Sequence, residues 1–204
     1  MAERQTREII KKYALKLFAQ HGFEKCSVRM ITHAAGVNLG AVNYHFRSKD
    51  HLLKELIDEF GDKFILVKDQ LQPVSTREQF NQCFEKFIHT LMDLFLSDMH
   101  VVSMFFTETE LLYTKCESVL REKYIPTRSA LDEFLKDAQS KGLVDPEVSV
   151  YIVTSTVFGL FGDEVRRIQV REKWNEPHIG QEEYHAEFFK NYIYFVEKAL
   201  SPKS

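Results

Sequence analysis

Residues 27–53 read SVRMITHAAGVNLGAVNYHFRSKDHLL. Ser27 stands where a helix N-cap belongs, and Val28, Ile31, Ala34 and Ala35 follow at helical spacing. Gly36 supplies the backbone freedom that a sharp helix-ending turn needs, and Val37 plugs the angle between two helices. The second helix is expected from Leu39 to about His45, with Gly40, Ala41, Asn43 and Tyr44 along one face. Small or polar side chains suit a surface that slides into the major groove of DNA, where bulky apolar groups would not fit. The pattern is a helix-turn-helix, and Ser48 opens a further helix behind it.

Outward from this stretch the motifs continue in order. An amphipathic N-terminal helix ends in His21-Gly22-Phe23, followed by Ser-Val-Arg-x-Ile, Ala-Gly-Val-Asn-x-Gly, Tyr-His-Phe and Ser-Lys-Asp-x-Leu-Leu. Over roughly residues 5–54, a quarter of the chain, the series resembles the TetR family of transcriptional regulators. The resemblance implies an all-α fold, with a three-helix DNA-binding head at 1–47 and a helical ligand-binding and dimerisation body at 48–204. Many family members carry an aromatic where this chain has Asn43. An amide there suits bidentate pairing with an adenine edge instead.

Charge divides the same way. The whole chain carries −3, but residues 1–54 sum to +6 and the remaining 150 to −9. A basic head on an acidic body is the asymmetry expected when one end meets phosphate. Arg29, one turn into the first helix of the motif, is long enough to reach a guanine edge. Ser27 would offer its hydroxyl and a helix N-terminus to a phosphate. Asn38, Leu39, Gly40, Ala41, Asn43 and Tyr44 are expected on the groove side, with His45 and Lys49 as phosphate contacts. Phe46 is expected in the core.

Other chemistries find little support. Eight histidines are scattered without metal-ligand spacing, and neither a nucleophile motif nor a phosphate-cradling glycine loop is present. The chain is therefore not expected to be an enzyme or to need a cofactor or metal. Cys26, Cys83 and Cys116 are odd in number and form no C-x-x-C pair, which favours a reducing cytoplasm. Neither an apolar leader nor a membrane-length apolar run is evident, so no membrane partner is expected.

Helical punctuation continues beyond the head, giving about nine helices and no convincing strand. One is expected from Lys49 to about Leu71, the next from Ser75 or Thr76 through Phe95. Others follow at about Met99–Tyr113, to about Lys123, and from Pro126 to Lys141 with Gly142 as its C-cap. Asp145-Pro146 predicts a restart running to about Gln169, and a polar loop with Trp174, Pro177 and Gly180 precedes a helix over about Glu182–Leu200. Residues 148–161 are nearly apolar all round, with small residues Ser155, Gly159 and Gly162. The final helix carries a wide stripe that includes Phe188, Tyr192 and Phe195. Paired with the same helices of a second copy, these would form a four-helix homodimer interface.

The body is rich in phenylalanine. Phe84, Phe87, Phe105, Phe134 and Phe158, with Glu108 as a polar partner, are candidate linings for an apolar ligand. Ordinary core packing accounts for the same stripe. The reading that unites these features is a ligand-responsive repressor, released from a palindromic DNA operator when a small, largely apolar effector binds. An activator or a ligand-independent nucleoid-organising dimer is the alternative, and an enzyme with a fused helix-turn-helix is a remote one.

Overall fold

Side chains set the helix boundaries. In the computed structural model, which describes residues 2–174 and 181–202, no strand occurs among the described residues. The helices are α1 (Ala2–His21), α2 (Val28–Ala35), α3 (Ala41–Phe46), α4 (Lys49–Lys68), α5 (Arg77–Ser97), α6 (Met99–Thr107), α7 (Thr109–Lys115) and α8 (Glu117–Val119). A π-helical turn, Leu120–Tyr124, leads into α9 (Ile125–Ser140), followed by α10 (Val150–Trp174) and α11 (Gln181–Ala199). Pro177 and Gly180 lie outside the described residues.

The caps are visible atom by atom. Ser27 Oγ accepts the Met30 N–H at 3.2 Å, and Gly36 closes α2 at φ +66°. Ser48 Oγ accepts the His51 N–H at 3.1 Å. Thr76 Oγ1 accepts the Gln79 N–H, while Gln79 Oε1 reaches back to the Ser75 N–H, a reciprocal box at the start of α5.

Two expectations fail locally. The helix expected over Met99–Tyr113 breaks at Glu108, which sits at φ −121°, ψ +34° between α6 and α7. Asp145 does not start α10 either. Its carboxylate accepts the Glu147 N–H at 2.9 Å as an Asx turn, and α10 begins only at Val150. The same side-chain chemistry that caps helices also builds turns, and here the turn wins.

The fold divides into two compact units. The first comprises the chain up to Lys63 together with Asp98–Tyr124. Its core is Ile10, Ala14, Phe18, Phe23, Ile31, Val42, Phe46, Leu52, Leu53, Leu56, Ile57 and Phe60. Packing units thus do not follow a line at residue 47, because the head's core takes its second wall from α4, and Glu108 and Lys115 also pack within this unit. Lys11 is buried and places Nζ 2.8 Å from both Glu8 and Glu59, tying α1 to α4.

The second unit comprises Phe64–Ser97 and the chain from Ile125 onward. Stacked rings dominate it: Phe80 lies 5.8 Å from Phe84 and 5.4 Å from Phe134, both at 8°. Phe161 joins α10 to Phe95 and to Phe189 and Tyr192 on α11. Arg77 terminates α11 from the side. Its guanidinium donates to the Glu197 and Leu200 carbonyls and to Ser201 Oγ, and also to the Leu143 carbonyl.

Candidate nucleic-acid interface

Two short helices cannot hold a surface unaided; buried residues beneath them do so. Ile31 of α2 and Val42 and Phe46 of α3 are buried, and the Arg7 guanidinium lies 4.9 Å from the Phe46 ring centroid. Arg29, Asn38, Leu39, Gly40, Asn43 and Tyr44 are exposed on the outer side. Ser27 is exposed too, with its hydroxyl already occupied as the α2 cap. Arg29 and Asn43 thus present polar side chains on a support that folding has already ordered.

Ala41 departs from the expected groove face. It is buried beside Val42, because α3 begins at Ala41 itself and turns this residue toward the core. Tyr44 is 74 % exposed, and its hydroxyl donates to Glu3 at 3.1 Å, a bond that raises its pKa. His45 is half-buried, its ring edge-on to Tyr44.

Lys49 is redirected by the structure. Its Nζ donates to the carbonyls of Phe23 (2.8 Å) and Cys26 (2.9 Å) and lies 4.1 Å from the Phe23 ring centroid. The ammonium therefore satisfies the loop before α2, and the side chain anchors the motif rather than reaching outward. Burial pushes the Cys26 thiol up, with the Lys49 charge opposing. An exposed cation that the sequence pattern does not single out stands nearby. Arg47 ends α3 at φ +66°, the single positive-φ residue other than glycine among the described residues. A helix stop with no glycine after Phe46 is its only trace in the sequence.

The ligand candidates are distributed over both packing units. Phe84, Phe87, Phe134 and Phe158 are buried packing residues of the second unit. Phe105 and Glu108 belong to the first, where Phe105 lies 5.8 Å from Phe60 and Glu108 lies against Gly22. The dimer candidates divide as well. Ser155, Gly159 and Phe195 are exposed and Phe188 half-buried, whereas Gly162 and Tyr192 are buried. Around them, Tyr151, Ile152 and Tyr194 leave most of their surface in water. A hollow at this surface is lined by Leu160, Phe188, Asn191, Tyr192 and Phe195.

Residues 10–56 match the family model described as bacterial regulatory proteins, tetR family. The matched segment carries the capped α2, the Gly36 turn and the outward face of α3. Over these residues the chain belongs to the TetR family of transcriptional regulators. Similarity to known proteins extends along the chain. A probable acrEF/envCD operon repressor of Escherichia coli (strain K12) is 28% identical over 170 residues, covering 79% of this chain and 75% of that one. The regulator's fold is similar to that of the ketosteroid transcriptional regulator KstR2 of Mycobacterium tuberculosis, with a TM-score of 0.79 and 18% identity over 97% of this chain and 95% of that one. It is also similar to the transcriptional regulator FadR of Bacillus subtilis, solved in complex with stearoyl-CoA, at a TM-score of 0.59 and 19% identity, covering 81% and 88%. Among the described residues, no helix of this TetR-family chain is long and apolar enough to cross a membrane.

Proposed function

We propose that this regulator is a ligand-responsive repressor that binds a palindromic operator as a homodimer and leaves it when a small, largely apolar effector enters the body. The observation that carries the DNA-binding part is the outward face of α2 and α3. Arg29, Asn38, Asn43 and Tyr44 lie exposed on it, over a core of Ile31, Val42 and Phe46. Arg29 and Asn43 read base edges, while Ser27, His45 and Arg47 lie against the backbone. Lys49 acts through the loop it holds. The 1–47 head and the 48–204 body keep these separate tasks even though α4 contributes to both packing units.

Homodimerisation is favoured by the exposed rings on α10 and α11. Tyr151, Ile152, Tyr194 and Phe195 are each more than 60 % exposed, a poor end state for an isolated chain. A two-fold pairing covers them and sets two heads on half-sites one DNA turn apart. The effector reading is supported by the operon repressor to which the chain is related and by the stearoyl-CoA held by FadR, one of its fold neighbours. The body's phenylalanines are tightly packed, so the effector stabilises an opened arrangement of that core. Swinging occupancy from nearly full to nearly empty takes a preference between states of about 5.5 kcal/mol. Footprinting on DNA selected by the purified protein tests the reading: a compact palindrome is expected, and dispersed protection overturns it in favour of an architectural protein. Native mass spectrometry, looking for a retained small molecule whose addition releases that DNA, tests the effector.

A further inference from the structure

Helix α4 has one glycine in its buried middle, and another segment of the chain lies directly on it. Gly61 is buried, and a Cβ there would come within 2.8 Å of Lys123 Cδ and 2.9 Å of Val119 Cγ1. Lys123 crosses at this point and grips α4 on two successive turns. Its Nζ lies 2.7 Å from the Asp58 carboxylate and 2.6 Å from that of Asp62, and it donates to the Asp58 carbonyl at 3.2 Å. The side chain is only 14% exposed. Burial works to lower its pKa, but the bonds to Asp58 and Asp62 outweigh this and raise it, so the ammonium stays charged. Lys115 makes a second rung eight residues earlier, 3.1 Å from Asp50.

Lys123 sits inside the π turn Leu120–Tyr124. Such a turn holds one residue more than an α-helical turn, and closing it rotates the downstream helix by up to about 100°. The cause of the wide turn is in the sequence. Pro126 has no N–H to give, and in a regular α-helix its ring would clash with the carbonyl four residues earlier, that of Glu122. Buried Leu120 pins one end, and Tyr124, 5.6 Å from the Phe105 ring, marks the other. The chain then runs without a break into α9.

We propose that the π turn and the Lys123 clasp around Gly61 form a conformational latch on α4. While the turn keeps its extra residue, Lys123 spans Asp58 and Asp62 and α4 is held. Winding the turn into α-helix carries Lys123 away and frees α4 below the DNA-binding head. That the freed helix alters the spacing of two heads rests on the DNA-binding reading above.

Hydrogen exchange of the full-length protein, followed by mass spectrometry, tests the latch without any effector. Lys123→Met removes the charge and keeps the stem; Pro126→Ala removes the cause of the π turn and leaves Lys123, Asp58 and Asp62 in place. Both are expected to raise exchange over residues 56–66 by about tenfold, with α2 and α5 unchanged, and Lys123→Arg to stay near wild type. Wild-type exchange in Lys123→Met overturns the clasp. Wild-type exchange in Pro126→Ala alone overturns its control by the turn, and faster exchange across α2 and α5 as well reduces the contact to general stabilisation. A second arm measures affinity for the selected operator and for versions with half-sites one base pair closer or farther. Both variants are expected to lose about tenfold of that discrimination. Unchanged discrimination in variants with fast α4 exchange overturns the link to DNA. A wild-type protein that selects no DNA overturns the DNA-binding reading instead, and exchange still judges the latch.

Discussion

The head and the body put their large side chains to opposite uses. In the head, Leu39 in the turn before α3 and Tyr44 on α3 are left exposed, with Ile31, Val42 and Phe46 buried beneath them. In the body, Phe80, Phe84 and Phe87 have no exposed surface, and the rings of Phe84 and Phe134 stack on Phe80. The contrast teaches that an exposed, locally anchored residue is free to have a function, while a buried one at helical spacing is first of all packing.

The sharpest way to break this contrast is in the body. Phe80→Ala removes a ring stacked between Phe84 and Phe134 and is expected to cost about 3–5 kcal/mol of stability. Chemical denaturation reads this directly; a loss below about 1 kcal/mol would mean that the stack is loose enough to serve as a pocket. Lys49→Met comes next. Losing a charged donor to two carbonyls should cost about 1.5–3 kcal/mol of stability and weaken binding to all DNA sequences alike. If stability holds while the salt dependence of binding flattens, Lys49 touches phosphate after all.

Groove-side substitutions should show the reverse profile. Arg29→Ala and Asn43→Ala are each expected to lose about 1–3 kcal/mol of binding at a single base pair, with an unchanged melting temperature. Relaxed preference at no position would remove that residue from the reading face. Ser27→Ala should lower stability by about 1 kcal/mol through its cap on Met30, and Ser27→Asn should restore it.

The smallest effect concerns thiols. Burial pushes the Cys116 thiol up to about 11, so its thiolate is scarce at pH 8, whereas Cys83 is only half-buried. Alkylation of the folded protein followed by mass spectrometry should label Cys83 first and leave Cys116 for the denatured chain. Because the folded pKa of Cys116 exceeds the unfolded value of 9.0, the folded state holds its proton longer, and stability should fall as pH rises through that interval.

How much was legible depends on the range of the interactions. Ser27, Gly36, Ser48 and Gly142 could be read directly, since a cap or a left-handed turn depends on residues a few positions away. Asp145 shows the limit even at short range, because one carboxylate can cap a helix or close an Asx turn. The carbonyl partners of Lys49 could not be read at all. Its partners, Phe23 and Cys26, lie more than twenty residues away, and a lysine at a helix start looks the same whether it faces phosphate or carbonyl.

By itself the sequence determined the helical class, the helix-turn-helix and the charge asymmetry, because periodicity, caps and charge are written in neighbouring residues. Only the tertiary structure decided that Ala41 is buried, that Phe105 and Phe84 belong to different packing units, and that Lys123 closes over Gly61. Each of these depends on which distant surface arrives beside the residue, and no local pattern carries that information.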